Sequence, residues 1–293
     1  VEKHRLEPYF NFGGRKFFMK RLLIIVDMEG IAGIGVNEFW STIKGHPLYF
    51  FKRHLLVKEI NAAINGAIKA GLKPDEIVVA DWHLTRHNFY QNDLPGGVTL
   101  ARTGENKFLE EGVEKVFLIG FHAAAGTPVR YAHSLRYAIK AFLIDDRPVG
   151  ETTMWAYNAG SMGIPIALLA GDSFAVNEIK SLKLETICVE TKNEKETLSP
   201  ASICQSIERA AEQSLTKKIS PLSTPSPFSV KFSFKSPKLT QNIPAEYFTR
   251  RDGEYLVIEG KTAHDVYDNF QNKVGMYIKS KSLGHKLLSI FEN

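Results

Sequence analysis

The chain has 293 residues, 44% of them hydrophobic and 24% charged, an ordinary globular balance that excludes a disordered tail and a fibrous repeat. Its formal charge is +5 and its pI about 9.0, but Lys and Arg are spread along the chain rather than gathered in a stripe, so no nucleic-acid partner is expected. The longest apolar runs fall far short of the roughly 18 residues of a membrane span, so no membrane partner is expected, and two cysteines, Cys188 and Cys204, suit a reducing compartment, the cytoplasm.

In chain order, residues 1 to 18 carry scattered charges and aromatics without the apolar core of a signal peptide, and are read as a leader or extension. Met19-Lys20-Arg21 directly precedes the first clear strand, Leu22 to Val26. Leu56, Ile60, Ala63, Ile64, Ala67 and Ile68 then recur at helical spacing, with Gly71 as a stop before Pro74. Further strands are expected at Ile77 to Ala80, Lys115 to Ile119, Ala138 to Ile144, Pro165 to Ala170 and Thr186 to Glu190. Short β-branched runs alternating with helical stretches predict an α/β fold, a mainly parallel sheet with flanking helices.

A helix from Ala201 to Leu215 leads into a Pro/Ser-rich segment at 220–227, the best candidate boundary. The expected division is therefore a leader or extension at 1–18, an α/β domain at 19–219, which carries all the candidate site residues named below, and a smaller α+β C-terminal domain at 220–293. That last unit shows strand patterns at Val230 to Phe234 and Tyr255 to Ile258 and a helical pattern from Ala263 to Tyr277.

The chemistry is concentrated just past the carboxyl ends of the predicted strands, the edge where ligands bind in open α/β sheets. Asp27 and Glu29 follow the first strand, and their i, i+2 spacing sends both carboxylates to one side of an extended chain. His83 follows the second strand in Asp81-Trp82-His83, and His122 the third in Gly120-Phe121-His122. Glu151, after the turn-like Asp146-Arg147-Pro148-Val149-Gly150, is placed to begin a helix. Mixed His and carboxylate donors suit zinc, with manganese or cobalt as alternatives. A single catalytic zinc needs three protein ligands, so Asp27, Glu29, His83, His122 and Glu151 fit two ions per subunit better than one, and if Asp27 bridges, each ion has three.

His133, in Tyr131-Ala132-His133-Ser134, lies between strands where a loop can return it to this edge, as general acid or base or as the attacking group. His87 forms His-x-x-x-His with His83 but not on a clear helix, so it is not taken as a ligand. Gly30 to Gly35 does not match a dinucleotide fingerprint, no phosphate-binding P-loop is present, and Ser161 does not stand in a nucleophile elbow.

Val26-Asp27-Met28-Glu29-Gly30-Ile31, Asp81-Trp82-His83, Gly120-Phe121-His122-Ala123, Ala132-His133-Ser134 and Asp146 through Glu151 together resemble the zinc-dependent D-aminopeptidase family associated with dipeptide transport operons. The resemblance implies a dinuclear zinc peptidase in which Asp27 bridges, Glu29 and His83 complete one site, His122 and Glu151 complete the other, and His133 is the catalytic histidine. It also implies a short peptide substrate with an N-terminal D-residue, and a homodecamer of two stacked pentameric rings. The leader and Ser173, where the family often carries a second Asp after Gly171-Asp172, depart from the pattern. Two other readings stay open: a metal-dependent hydrolase of another amide or of a phosphoester, and a non-catalytic peptide-binding or transport accessory protein. Asp81 and Asp172 could orient ligands from behind or be simple turn residues; both readings stay open.

Overall fold

The computed structural model describes residues 9–12, 15–18, 21–35 and 37–281. Within the expected leader, β1 (Tyr9–Phe12) and β2 (Arg15–Phe18) pair antiparallel; its other residues lie outside the described residues. The chain continues through β3 (Leu22–Val26), α1 (Tyr49–Lys69), β4 (Ile77–Asp81), β5 (Thr99–Ala101), α2 (Glu105–Glu110) and β6 (Lys115–Phe121). Next come β7 (Ile139–Ile144), β8 (Arg147–Pro148), α3 (Glu151–Ser161), β9 (Ile166–Asp172), α4 (Ser173–Ser181), β10 (Ile187–Lys192) and α5 (Pro200–Thr216). The rest is β11 (Phe228–Phe234), α6 (Pro237–Asn242), β12 (Arg250–Asp252), β13 (Tyr255–Gly260), α7 (Ala263–Asn269), a wider helical turn at Phe270–Gly275, and α8 (Met276–Lys281).

Six strands form a parallel sheet in the order β10-β9-β6-β3-β4-β5. All five residues of β3 are buried, as a central parallel strand covered on both faces requires, which is why it reads as an unbroken apolar run. Leu22, Ile24 and Val26 face the core under α1 and α5. Leu23 and Ile25 face the opposite core, which they share with Trp155 of α3 and Phe142 and Phe232 of the second sheet. On α1, Leu56, Ile60, Ala63, Ile64 and Ala67 are buried along one stripe, and each fully buried large side chain contributes roughly 1.5–3 kcal/mol. The helix pair α1 and α5 packs so closely that a Cβ on Gly66 would lie 2.2 Å from the Glu208 carbonyl oxygen.

Five strands form the second sheet, β12-β13-β11-β7-β8, antiparallel throughout. The strand expected at Ala138 to Ile144 therefore belongs here and not to the parallel sheet: β7 pairs antiparallel with β11, joining strands from either side of the Pro/Ser-rich segment. The sixth parallel strand, β5, went unread because three residues are too few to show a period.

This order positions the site. From β3 the chain steps outward to β4 and β5, then crosses back to β6 and continues to β9 and β10. The reversal lies between β3 and β6, and their carboxyl ends splay into the crevice where such sheets take ligands.

Candidate metal centre

Past Val26 the chain turns tightly against the end of β6. Asp27 N donates to the Ile119 carbonyl at 2.8 Å and Gly30 N to the Gly120 carbonyl at 2.8 Å. The two segments touch backbone to backbone: a Cβ on Gly30 would lie 1.8 Å from Phe121 O, and one on Gly120, whose φ is +78°, 2.1 Å from Asp27 O. Only glycine fits at either position, and the contact brings the Asp27 and Glu29 carboxylates beside His122. Lys192 of β10 reaches across to donate to the carbonyls of Glu29 and Ile34, and Glu59 of α1 accepts from Ala32 N at 2.7 Å, so the acid-bearing turn is held from both sides.

Asp27, Glu29, His83, His122 and Glu151 are all at most 3% exposed. His122 Nε2 stands 3.4 Å from Asp27 Oδ2, His83 Nε2 3.3 Å from Glu29 Oε1, and His133 Nε2 3.7 Å from Glu151 Oε1. The rings of His122 and His133 stack at 4.3 Å. Three sets of side chains each offer donor atoms within 4.8 Å of one another: Asp27, Glu29 and His83; Asp27, His122 and Glu151; and Glu29, His122 and His133. All six residues singled out in the sequence thus lie together. His87 belongs to none of the three sets, and its Nδ1 is 2.8 Å from the Thr85 carbonyl oxygen.

The ring orientations are fixed from behind. His122 Nδ1 lies 2.9 Å from the Ala123 carbonyl and His133 Nδ1 2.9 Å from that of Tyr131. A carbonyl only accepts, so each Nδ1 carries a ring proton and each Nε2 is the ring atom that faces the carboxylates. Asp172 accepts from Ala123 N at 2.9 Å and caps α4 through Ala175 N. Asp81 accepts from both the backbone and the side chain of Asn88, whose Nδ2 also donates to the His83 carbonyl at 2.8 Å. Glu151, the first residue of α3, accepts from Leu135 N at 2.6 Å. Glu178 of α4 receives the otherwise uncapped Gly150 and Thr153 N–H groups of that helix start.

So much buried negative charge is unfavourable alone. Burial, and then Glu29, push Asp27 up to about 6, while burial pushes Glu151 up to about 8. Burial would raise Glu29 too, but His83 and His122 outweigh it and hold that carboxyl well below its usual range. Burial and the neighbouring His122 pull His133 down to about 3. Glu29 Oε2, His83 Nε2 and His122 Nε2 are buried without a hydrogen-bond partner. Unsatisfied oxygen and imidazole donors facing one another suit a divalent cation, which would favour the ionised carboxylates, and the N/O mixture suits zinc.

Asn88, Glu178 and Lys192 were not singled out in the sequence. An Asn five residues after a histidine is unremarkable in a loop, and Glu178 and Lys192 come to the site from distant elements with no local signal.

A profile of the D-aminopeptidase family matches residues 19–272. A D-aminopeptidase of Bacillus subtilis (strain 168) is 32% identical over 204 residues, 68% of this chain and 72% of that one. Among solved structures, the Zn-dependent D-aminopeptidase DppA from Bacillus subtilis, a self-compartmentalizing protease, superposes with a TM-score of 0.77 at 24% identity, covering 89% of this chain and 99% of that chain. That structural likeness establishes the fold, and the profile and the more similar relative establish the kinship. The class is that of a metal-dependent hydrolase. Within it, the chain belongs to the D-aminopeptidase family.

Proposed function

We propose that the protein is a dinuclear zinc aminopeptidase that removes an N-terminal D-residue from short peptides. The observation that carries this reading is the sharing of Asp27 between two donor sets, one with Glu29 and His83 and one with His122 and Glu151. Asp27 would bridge the ions, Glu29 and His83 would hold one, and His122 and Glu151 the other. Two zinc ions held there supply Lewis-acid polarisation of the scissile carbonyl and activation of water near neutral pH.

The chain's own residues do the rest. His133, its Nδ1–H engaged by the Tyr131 carbonyl, would accept a proton at Nε2 from the attacking water and return it to the leaving amine. Trp82 and Phe121, which precede His83 and His122 in the chain, stack with ring centroids 6.1 Å apart and belong to the core. Asn88, Asp81, Asp172 and Glu178 keep the ligand-bearing backbone in register.

The assembly proposed is a homodecamer of two stacked pentameric rings, in the cytoplasm. Trp40, Leu48, Phe50 and Phe51 are all exposed within one short stretch, an apolar surface of the kind subunit contacts cover. Among the described residues no helix is long and apolar enough to cross a membrane. Light scattering on the purified chain tests the assembly, and a monomer at working concentration overturns it.

Hydrolysis of matched D-alanyl and L-alanyl dipeptides by zinc-loaded protein, with a chelated and re-metallated control, tests the activity. Metal-dependent cleavage favouring the D-form is expected. Preference for the L-form removes the stereochemical part, and no cleavage by metal-replete protein removes the peptidase reading.

A further inference from the structure

Beyond the metal donors, a line of aromatic and basic groups leads away from His133. The Tyr137 ring lies 6.4 Å from the His133 ring, is backed by Phe39 stacked at 5.8 Å, and is 53% exposed. The Lys235 ammonium sits over the same ring at 3.6 Å from its centroid. Lys235 N donates to the Ala138 carbonyl at 2.9 Å, which fixes its backbone beside Tyr137 at the end of β11.

Other lysines of this sheet are neutralised: Lys231 pairs with Asp146 at 2.7 Å and Asp252 at 2.8 Å, and Lys140 with Glu254 at 2.9 Å. Lys235 meets no carboxylate among the described residues; its ammonium contacts an aromatic face instead. Partial burial pulls its pKa below the ordinary lysine value, a shift that an arriving anion reverses.

We propose that Lys235, steadied on Tyr137, is the subsite that takes the free C-terminal carboxylate of a dipeptide or tripeptide substrate. The inference rests on the peptidase reading above and deepens it. An extended peptide advances about 3.3–3.6 Å per residue, so successive separations of 6.4 Å and 3.6 Å keep the ammonium within about three residues of a bond attacked beside His133. The cation over Tyr137 would hold the substrate carboxylate away from the metal donors. Longer peptides and C-terminal amides lose this ion pair, so the site selects by length and by terminal charge.

The test compares D-alanyl-D-alanine with its C-terminal amide on zinc-loaded full-length protein, wild type against Lys235→Met and Lys235→Arg. A charge-assisted hydrogen bond corresponds to roughly a ten- to hundredfold preference in kcat/KM for the free acid. Lys235→Met should bring the acid-to-amide ratio close to one, and Lys235→Arg should restore most of it. Equal wild-type rates on acid and amide, or a loss in Lys235→Met shared equally by both, overturn the subsite. Calorimetric binding of the reduced-bond dipeptide and its amide reads the same ratio without turnover. If zinc-loaded wild type cleaves neither substrate, the peptidase reading fails while the binding ratio still decides the subsite: a collapse in Lys235→Met supports it and an unchanged ratio refutes it.

Discussion

Asn88 offers the sharpest test of how the centre is supported. It is 2% exposed, and its side chain makes three hydrogen bonds: Nδ2 to Asp81 Oδ1 at 2.9 Å and to the His83 carbonyl at 2.8 Å, and Oδ1 from Tyr49 OH at 3.0 Å. Asn88→Ala strands all three partners. Two neutral bonds at about 1 kcal/mol each and one to a carboxylate at about 1.5–3 kcal/mol give an expected destabilisation of about 3–5 kcal/mol. Removing the tie to the backbone of His83 should also weaken zinc binding about 10- to 100-fold, the usual effect of losing a group that orients a ligand. Urea denaturation of metal-free protein measures the first quantity, at fixed protein concentration, and competition with a calibrated chelator the second. A loss of stability under about 1 kcal/mol, or a zinc affinity within about twofold of wild type, would refute the argument that this side chain positions His83.

His133→Ala should cost about 10² to 10⁴ in kcat with two zinc ions retained, and since Glu29, His122 and His133 form a third donor set, a fall in metal content would reassign His133 as a ligand. Asp27→Ala removes the shared donor, so metal content and activity should drop together; two tightly bound ions in that variant contradict the bridge. Glu59 is pushed up to about 8 by burial, against the opposing Ala32 N–H and Lys192. Its unfolded counterpart ionises near 4.5, so between pH 4.5 and 8 the native state holds the extra proton and stability falls as pH rises, by an amount on the order of a few kcal/mol. Glu59→Gln should therefore gain on wild type between pH 5 and pH 8 in denaturation midpoints, and parallel pH profiles for the two proteins would sink the assignment.

Five of the six parallel strands were legible because strands covered on both faces read as apolar runs, and a residue written just after such a run stands at the sheet's carboxyl edge wherever the strand goes. That rule located Asp27, Glu29, His83 and His122, and the turn-then-helix pattern located Glu151 at the first position of α3. The pattern from Ala263 to Tyr277 was seen as helical, but the wider turn at Phe270–Gly275 leaves no trace in apolar spacing. The pairing of β7 was misread because its apolar run looks the same whether the neighbour is parallel or antiparallel.

Local periodicity thus determined the longer strands of the parallel sheet, which acids and imidazoles sit at their ends, and that such a set calls for a cation. It carries no record of which strands become neighbours. Only the folded sheet puts β3 between β4 and β6, presses Gly30 against Phe121, and brings Glu178, Lys192 and Asn88 behind the donors. Only the second sheet sets Lys235 over Tyr137. These contacts join segments far apart in the chain, and they depend on sheet order and close backbone approach, which no run of adjacent residues encodes.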